Sequence, residues 1–284
     1  METIKFKSVG IILRPSTPEL KDGYETIKGV LLKHNIEVFL EKKSANMLSL
    51  DGVNLDELCK KCSFLITIGG DGTLISTVRK SFKYNIPVLG VYAGSFGFLT
   101  DLSIEGFEEF FPKMLQKKFR VEERSILEVK IIQNQKEKCS YAFNDAVITR
   151  TAVPQMIHVE AFVDSKPFNK YYGDGVIVST PTGSTAYNLS AGGPVMFPST
   201  NVFSLTPICP HSLTQSPIVL PREYSIEMRA SSEAALVILD GQETLELKRG
   251  ESVHIKLATK KVKLIQRKEF NYFEILKEKL SWGE

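Results

Sequence analysis

LITIGGDGTLISTV (residues 65–78) runs from an apolar stretch through a glycine-rich turn into a helical repeat, and its reading decides the fold. Leu65 to Ile68 form a short continuous apolar run, as expected of a strand buried on both faces. Gly69-Gly70-Asp71-Gly72 is a turn signal, and Thr73 opens a helix that turns Leu74, Ile75 and Val78 inward. Working toward the N-terminus, FKSVGIIL (6–13) and NIEVFL (35–40) are strand candidates. Between them residues 17–34 carry Leu20, Ile27, Val30 and Leu31 at helical spacing, and Leu55 and Leu58 lie on a short helix. Toward the C-terminus IPVLGVY (86–92) is a further strand. Apolar strands alternating with helices predict an α/β domain with a mostly parallel sheet covered on both faces.

The pattern changes after Asp101. Residues 103–117 predict a connecting helix broken near Pro112. From there period-two alternation dominates: SILEVKIIQ (125–133), YAFNDAVIT (141–149), MIHVEAFVD (156–164), DGVIVST (174–180), and five more short runs ending at Arg267. Many short strands predict an all-β, layered, sandwich-like second domain. The expected division is an α/β domain over 1–101, a β-rich domain over 102–267 and a helical tail over 268–284. The tail, FNYFEILKEKLSW, can pack on either domain.

Composition limits the function classes. A chain of 284 residues, 43% hydrophobic and 24% charged, is a packed globular protein and not a disordered one. A net charge of +3 gives no case for a nucleic-acid or anionic-membrane surface. No apolar run approaches the roughly 20 residues of a spanning helix. Cys59, Cys62, Cys139 and Cys209 are no disulfide framework, and the Cys59/Cys62 pair lacks the context of a redox or zinc site. His34, His158 and His254 have no metal-ligand spacing, so no metal site built from protein ligands is expected. A cytoplasmic location is the default.

The chemistry concentrates in the turns. Gly69, Gly70 and Gly72 let a ligand approach the backbone, and the helix start after them favours anions. Asp71 stands at the tip of the turn, and Thr73 is a helix cap or a phosphate contact. AGSFGFLTD (93–101) is a second glycine-rich turn after a strand, where Phe96 either covers a nucleotide or packs as a hinge. Asn144-Asp145 interrupts an apolar strand pattern, so the pair either sits at a bulge or reads a ligand such as ribose. DGVIVSTPTGSTAYNLSAGGP (174–194) crowds Ser179, Thr180, Thr182, Ser184 and Thr185 around a strand end and turn. Such hydroxyls suit sugar and phosphate contacts, or else an elaborately capped turn. Tyr187 offers a flat surface for a base. His211 either meets a phosphate or is an ordinary loop histidine, and Asp240-Gly241-Gln242 reads equally as a hairpin turn.

These features favour a nucleotide-binding transferase. Phosphoryl transfer needs alignment and charge neutralisation, and the glycine turn contains no lysine or arginine. A divalent cation, magnesium, carried on the donor phosphates is therefore expected. Asp71 is placed to act as general base toward the acceptor hydroxyl.

GGDGTL (69–74), GFLTD (97–101), FND (143–145), the 174–194 segment, ICPHSL (208–213) and DGQ (240–242) together resemble the NAD kinase family, in the family's order. The resemblance implies ATP and NAD as substrates and transfer of the terminal phosphoryl group to the adenosine ribose 2′-hydroxyl. It implies a homodimer or homotetramer, and a C-terminal tail that returns to the first domain. Asp71 resembles the proton acceptor and Gly72 a backbone contact to NAD. Asn144 and Asp145 resemble the pair on adenosine, and Asp174 the acidic contact near nicotinamide. Thr182 and the run Thr185, Ala186, Tyr187, Asn188, Leu189 and Ser190 resemble NAD-lining positions, with Gln242 a further contact. The chain departs from the family with Tyr92 and Ser95 in a turn that often holds Asn and a basic residue. It departs again with Tyr172 where a basic residue is frequent, and with Asp145 where Glu is common. GGDGT alone also resembles lipid kinases of the diacylglycerol and sphingosine type. A lipid kinase and a non-enzymatic NAD-binding regulator are the competing readings.

Overall fold

The computed structural model describes residues 6–133, 136–150, 156–230 and 235–283. The chain forms two compact units, residues 1–123 with 262–284, and residues 124–261.

The first unit begins with β1 (Ser8–Leu13), α1 (Lys21–Lys33), β2 (Glu37–Leu40), α2 (Lys42–Leu48), α3 (Leu55–Lys61), β3 (Phe64–Gly69), α4 (Asp71–Ser81) and β4 (Val88–Tyr92). β5 (Leu102–Ser103), α5 (Ile104–Leu115) and β6 (Phe119–Arg124) follow. β1 lies parallel between β2 and β3, and β4 lies parallel to β3 in the register Ile66↔Leu89 and Ile68↔Val91. Every residue of β3 is buried, which is what a central parallel strand requires. The core joins Ile11, Phe64, Ile66, Ile68 and Val91 of the sheet to Tyr24, Ile27 and Leu31 of α1 and Phe107 and Phe111 of α5. α5 runs through Pro112 where a break was expected. Proline removes one helical hydrogen bond near the helix end, while Phe107, Phe110, Phe111 and Met114 keep one buried face across it.

The second unit contains β7 (Leu127–Gln133), β8 (Lys136–Ala142), β9 (Asp145–Arg150), β10 (Ile157–Val163), β11 (Lys166–Gly173), β12 (Gly175–Ser179) and the one-turn α6 (Tyr187–Ser190). It continues with β13 (Val202–Ile208), β14 (Ile218–Pro221), β15 (Ser225–Ala230), β16 (Ala235–Leu239), β17 (Glu243–Leu247) and β18 (Ser252–Leu257). Two six-stranded sheets result, in the orders β11-β10-β15-β18-β7-β8 and β14-β13-β12-β9-β16-β17. Their inward residues share one core, with Val129, Val159, Ile226 and Ile255 on one side and Ile148, Val176, Phe203 and Val237 on the other. This is the layered sandwich that alternation predicts.

The chain then returns to the first unit as β19 (Val262–Arg267) and α7 (Tyr272–Leu280). β19 inserts in parallel beside β4, giving the sheet order β2-β1-β3-β4-β19-β6 with β5 also on β4. The boundaries therefore fall at 123/124 and 261/262, and not at 101 and 267. α5 and β6 stay with the parallel sheet because Phe107, Phe110, Phe111 and Met114 are part of its core, which also holds Ile265 of β19. Arg267 fixes this return with a two-nitrogen contact to Asp101 Oδ2, at 2.8 and 2.9 Å.

Candidate active site

In the first unit the glycine–aspartate turn sits where β3 hands over to α4. Gly70 is the N-cap and Asp71 the first helical residue. Gly69, Gly70 and Gly72 do not take positive φ; the left-handed glycine of this region is Gly94, at φ 101°. Space explains Gly69 but not Gly70. A Cβ on Gly69 would lie 2.6 Å from Thr73 Oγ1, and the Cβ direction of Gly70 is open. The side chain of Asp71 is held by the second turn. Phe98 N–H donates to Oδ2 at 2.8 Å, while Leu99 N–H, Thr100 N–H and the Thr100 hydroxyl donate to Oδ1 at 3.2, 3.1 and 2.9 Å. A second tie joins the turns at their start, Ala93 N–H to Gly69 O at 2.7 Å. A carboxylate has about four lone-pair positions. Oδ1 takes three of the four donors and Oδ2 only one, so Asp71 organises the 97–100 turn chiefly through Oδ1 and keeps an acceptor position on Oδ2.

In the second unit Phe143-Asn144-Asp145 forms the turn from β8 into β9, and neither strand contains it whole. Asp240 builds that turn. Its carboxylate accepts from Phe143, Asn144 and Asp145 N–H at 2.9, 2.7 and 3.1 Å. Asp240 N–H donates to Asp145 O at 3.0 Å. Asp240 and Gly241 both have positive φ, 52° and 63°, so the D-G pair is also the β16–β17 hairpin turn. The 180–183 turn packs on the other side: Thr180 N–H donates to Asn144 O at 2.9 Å, and the Thr180 hydroxyl to Phe143 O at 2.7 Å. Gly183 is obligatory here, since a Cβ would come within 2.2 Å of Asn144 O. Two buried polar atoms remain without a partner in this framework, Asn144 Oδ1 and Thr182 Oγ1. Asp145 is 5% exposed. Burial first, and the nearby Asp240 charge second, push its carboxyl up to about 7. An uncompensated acceptor, a hydroxyl and an acid raised toward neutrality are groups able to pair with hydroxyls and amines.

Most of the hydroxyl cluster serves the fold. Ser179 and Thr180 lock the two turns, and Ser184 Oγ bonds Pro181 O at 2.7 Å and Met196 N–H at 2.9 Å. Asn188 is wholly buried. Its Oδ1 accepts from Ser204 and Thr206, and its Nδ2 donates to Ser184 O and Pro194 O. That uses both ends of the amide. Around it Thr185, Ala186 and Leu189 are half-buried, Ser190 is exposed and Tyr187 is 47% exposed. Asp174 opens β12 beside Arg150, 3.7 Å away. His211 is exposed, its N–H bonded to Tyr172 O and its ring edge-on to that of Tyr172 at 5.5 Å. Gln242 follows the hairpin, exposed, with its N–H on Leu239 O. Phe96 is half-buried in the first unit. All four cysteines are free. Burial pushes the Cys59 thiol up to about 11 and that of Cys62 to about 12, so neither carries a reactive thiolate.

Both turns lie inside matches to known families. The ATP-NAD kinase N-terminal domain matches residues 9–119, and the ATP-NAD kinase C-terminal domain matches residues 143–267. The chain belongs to the ATP-NAD kinase family. The NAD kinase of Sulfurimonas denitrificans is 59% identical over 284 residues, covering 100% of both chains. That of Wolinella succinogenes is 44% identical over 277 residues, 97% of this chain and 96% of the relative. Among solved structures, yeast NADH kinase complexed with NADH shares the fold with a TM-score of 0.91 at 24% identity, over 98% of this chain and 89% of its own. An NAD kinase from Archaeoglobus fulgidus in complex with ATP superposes with a TM-score of 0.77 at 25% identity, over 96% and 98% of the two chains. Family membership settles the reaction class as ATP-dependent NAD kinase activity. Asp240 and Thr100 are the residues holding these turns that sequence reading missed. Asp240 was visible only as a turn signal, and Thr100 only as a letter of GFLTD.

Proposed function

We propose that this NAD kinase family member transfers the terminal phosphoryl group of magnesium–ATP to the 2′-hydroxyl of the adenosine ribose of NAD. The observation that carries the acceptor half is the buried, partnerless pair Asn144 Oδ1 and Thr182 Oγ1 beside Asp145. Asn144 offers an acceptor to an adenine amine or a ribose hydroxyl, and Thr182 a donor and an acceptor. Asp145 accepts a ribose hydroxyl once deprotonated. The relatives lend the same direction, one solved with NADH and one with ATP. Asp174, Thr185, Ala186, Tyr187, Leu189, Ser190, His211 and Gln242 are proposed as further contacts to the dinucleotide. Asn188 is proposed to hold their backbone in place.

In the transfer the 2′-oxygen forms a bond to the γ-phosphorus as the bond from that phosphorus to the β,γ-bridging oxygen breaks. ADP leaves with the electron pair, and the hydroxyl proton passes to Asp71 and then to water. Because Oδ1 carries three of the four bonds from the 97–100 turn, Oδ2, with its single bond to Phe98 N–H, is the oxygen that meets the hydroxyl proton. Among the described residues no cluster of three or more His, Cys, Asp or Glu is arranged to hold a metal. Magnesium is proposed to arrive on the triphosphate substrate, where it offsets phosphate charge.

A homodimer or homotetramer is part of the same reading, and light scattering on the purified protein decides it. A cytoplasmic location is also proposed, supported by four unpaired cysteines; no helix among the described residues is long and apolar enough to cross a membrane. The test of function is formation of NADP from NAD and magnesium–ATP, followed with an NADP-specific dehydrogenase. No product from folded protein across several phosphate donors and metals overturns the proposal.

A further inference from the structure

The two glycine turns of the first unit hold no cation of their own: residues 69–73 and 92–101 contain neither lysine nor arginine. One arrives from the other end of the chain. α7 starts at Asn271, whose side chain caps Phe273 N–H at 3.1 Å. The helix then buries Tyr272, Ile275 and Leu276. The next position on that stripe, three and four residues on, is Lys279. An ammonium thus follows an apolar stripe, where another apolar side chain would ordinarily continue the burial.

The amine of Lys279 is half-buried and reaches the second turn. It donates to the carbonyl of Phe96 and lies over the Phe96 ring, 4.3 Å from its centroid. No carboxylate pairs with Lys279 among the described residues. Glu274, on the same helix, accepts instead from Asn271 Nδ2 at 3.0 Å. An ammonium has three donors. The contacts it makes, a single carbonyl and an aromatic face, include no carboxylate, so its charge is available to an anion. Its place is specific. Phe96 O is two residues ahead of Phe98 N–H, the donor to Asp71 Oδ2 at 2.8 Å.

We propose that Lys279 binds a non-bridging phosphate oxygen of the donor triphosphate, supplying from the C-terminal helix a positive charge beside the second glycine turn. The proposal rests on the ATP-dependent reading above. On binding, the ammonium exchanges the Phe96 carbonyl for phosphate, so donor binding loosens the turn that clamps Asp71.

The test is steady-state kinetics of wild type, Lys279→Met and Lys279→Arg, with ATP and NAD varied separately, plus calorimetric titration of magnesium–ATP without NAD. Methionine keeps the unbranched stem and removes the charge. In Lys279→Met, the KM for ATP and the calorimetric Kd should rise about tenfold or more, as expected for losing one charge-assisted hydrogen bond. The KM for NAD and the thermal midpoint should stay at wild-type values, and Lys279→Arg should recover most of the loss. Unchanged ATP affinity in a folded Lys279→Met protein overturns the role. So does a parallel rise in both KM values with a lowered midpoint, which marks Lys279 as a structural pin only. If wild type neither binds ATP nor makes NADP, the ATP-dependent reading itself has failed.

Discussion

Asp145 should make the ligand-free protein less stable as pH rises through neutrality. Its carboxyl titrates near 7 when folded, against 3.8 as the ordinary value, because burial and then Asp240 disfavour the charged form. A raised acid contributes stability that is complete below the unfolded value and is lost as pH climbs through the folded one. The full loss is about 4 kcal/mol, and the part falling between pH 5.5 and 8 is about 2 kcal/mol. Urea unfolding at those two pH values, for wild type and Asp145→Asn, isolates this contribution because the other titrating groups are common to both proteins. Far-UV circular dichroism is the appropriate signal: the single tryptophan, Trp282, lies in the first unit and reports on the wrong core. Wild type should lose about 2 kcal/mol more than the variant between pH 5.5 and 8. Equal losses would show that Asp145 is already ionised at pH 5.5, and the burial argument would fail.

Gly97→Ala should displace the clamp, since the added Cβ would stand 2.1 Å from Asp71 Oδ1; kcat should fall well before stability does, read by kinetics beside thermal melts. Asp240→Ala strips three N–H groups of one acceptor and should cost at least about 2 kcal/mol in urea unfolding, with a raised KM for NAD; Asp240→Asn should be milder, because asparagine tolerates positive φ and keeps an acceptor. Asn188→Ala removes the amide between Ser184, Pro194, Ser204 and Thr206 and should cost about 2–4 kcal/mol in the same assay.

What was legible in the sequence followed short-range rules. β3, the 69–72 turn and α4 announce themselves through a continuous apolar run, glycines and a helical repeat within fifteen residues. Long-range partners left no such trace. Asp71 meets Phe98 and Thr100, and Asp240 meets Phe143, over sequence gaps that no local pattern spans. The hydroxyls of the 179–185 run looked like ligand contacts because side-chain to backbone bonds are invisible in a string; Ser184 turned out to tie Pro181 to Met196. β19 alternates like the sandwich strands before it, and only the pairing of Leu264 with Val88 reveals that it belongs to the parallel sheet. Of the turn glycines, Gly69 is needed for its smallness, since a Cβ there would meet Thr73 Oγ1, and neither Gly69, Gly70 nor Gly72 takes positive φ.

The central claim is that Asp71 is both the clamp on the 97–100 turn, through Oδ1, and the acceptor of the ribose proton, through Oδ2. A crystal structure with NAD and a non-hydrolysable triphosphate analogue tests it most directly. The account predicts Asp71 Oδ2 within hydrogen-bond reach of the 2′-oxygen while Oδ1 stays on the 97–100 turn. A ternary complex in which Asp71 keeps all four bonds while the 2′-oxygen lies out of reach would contradict it.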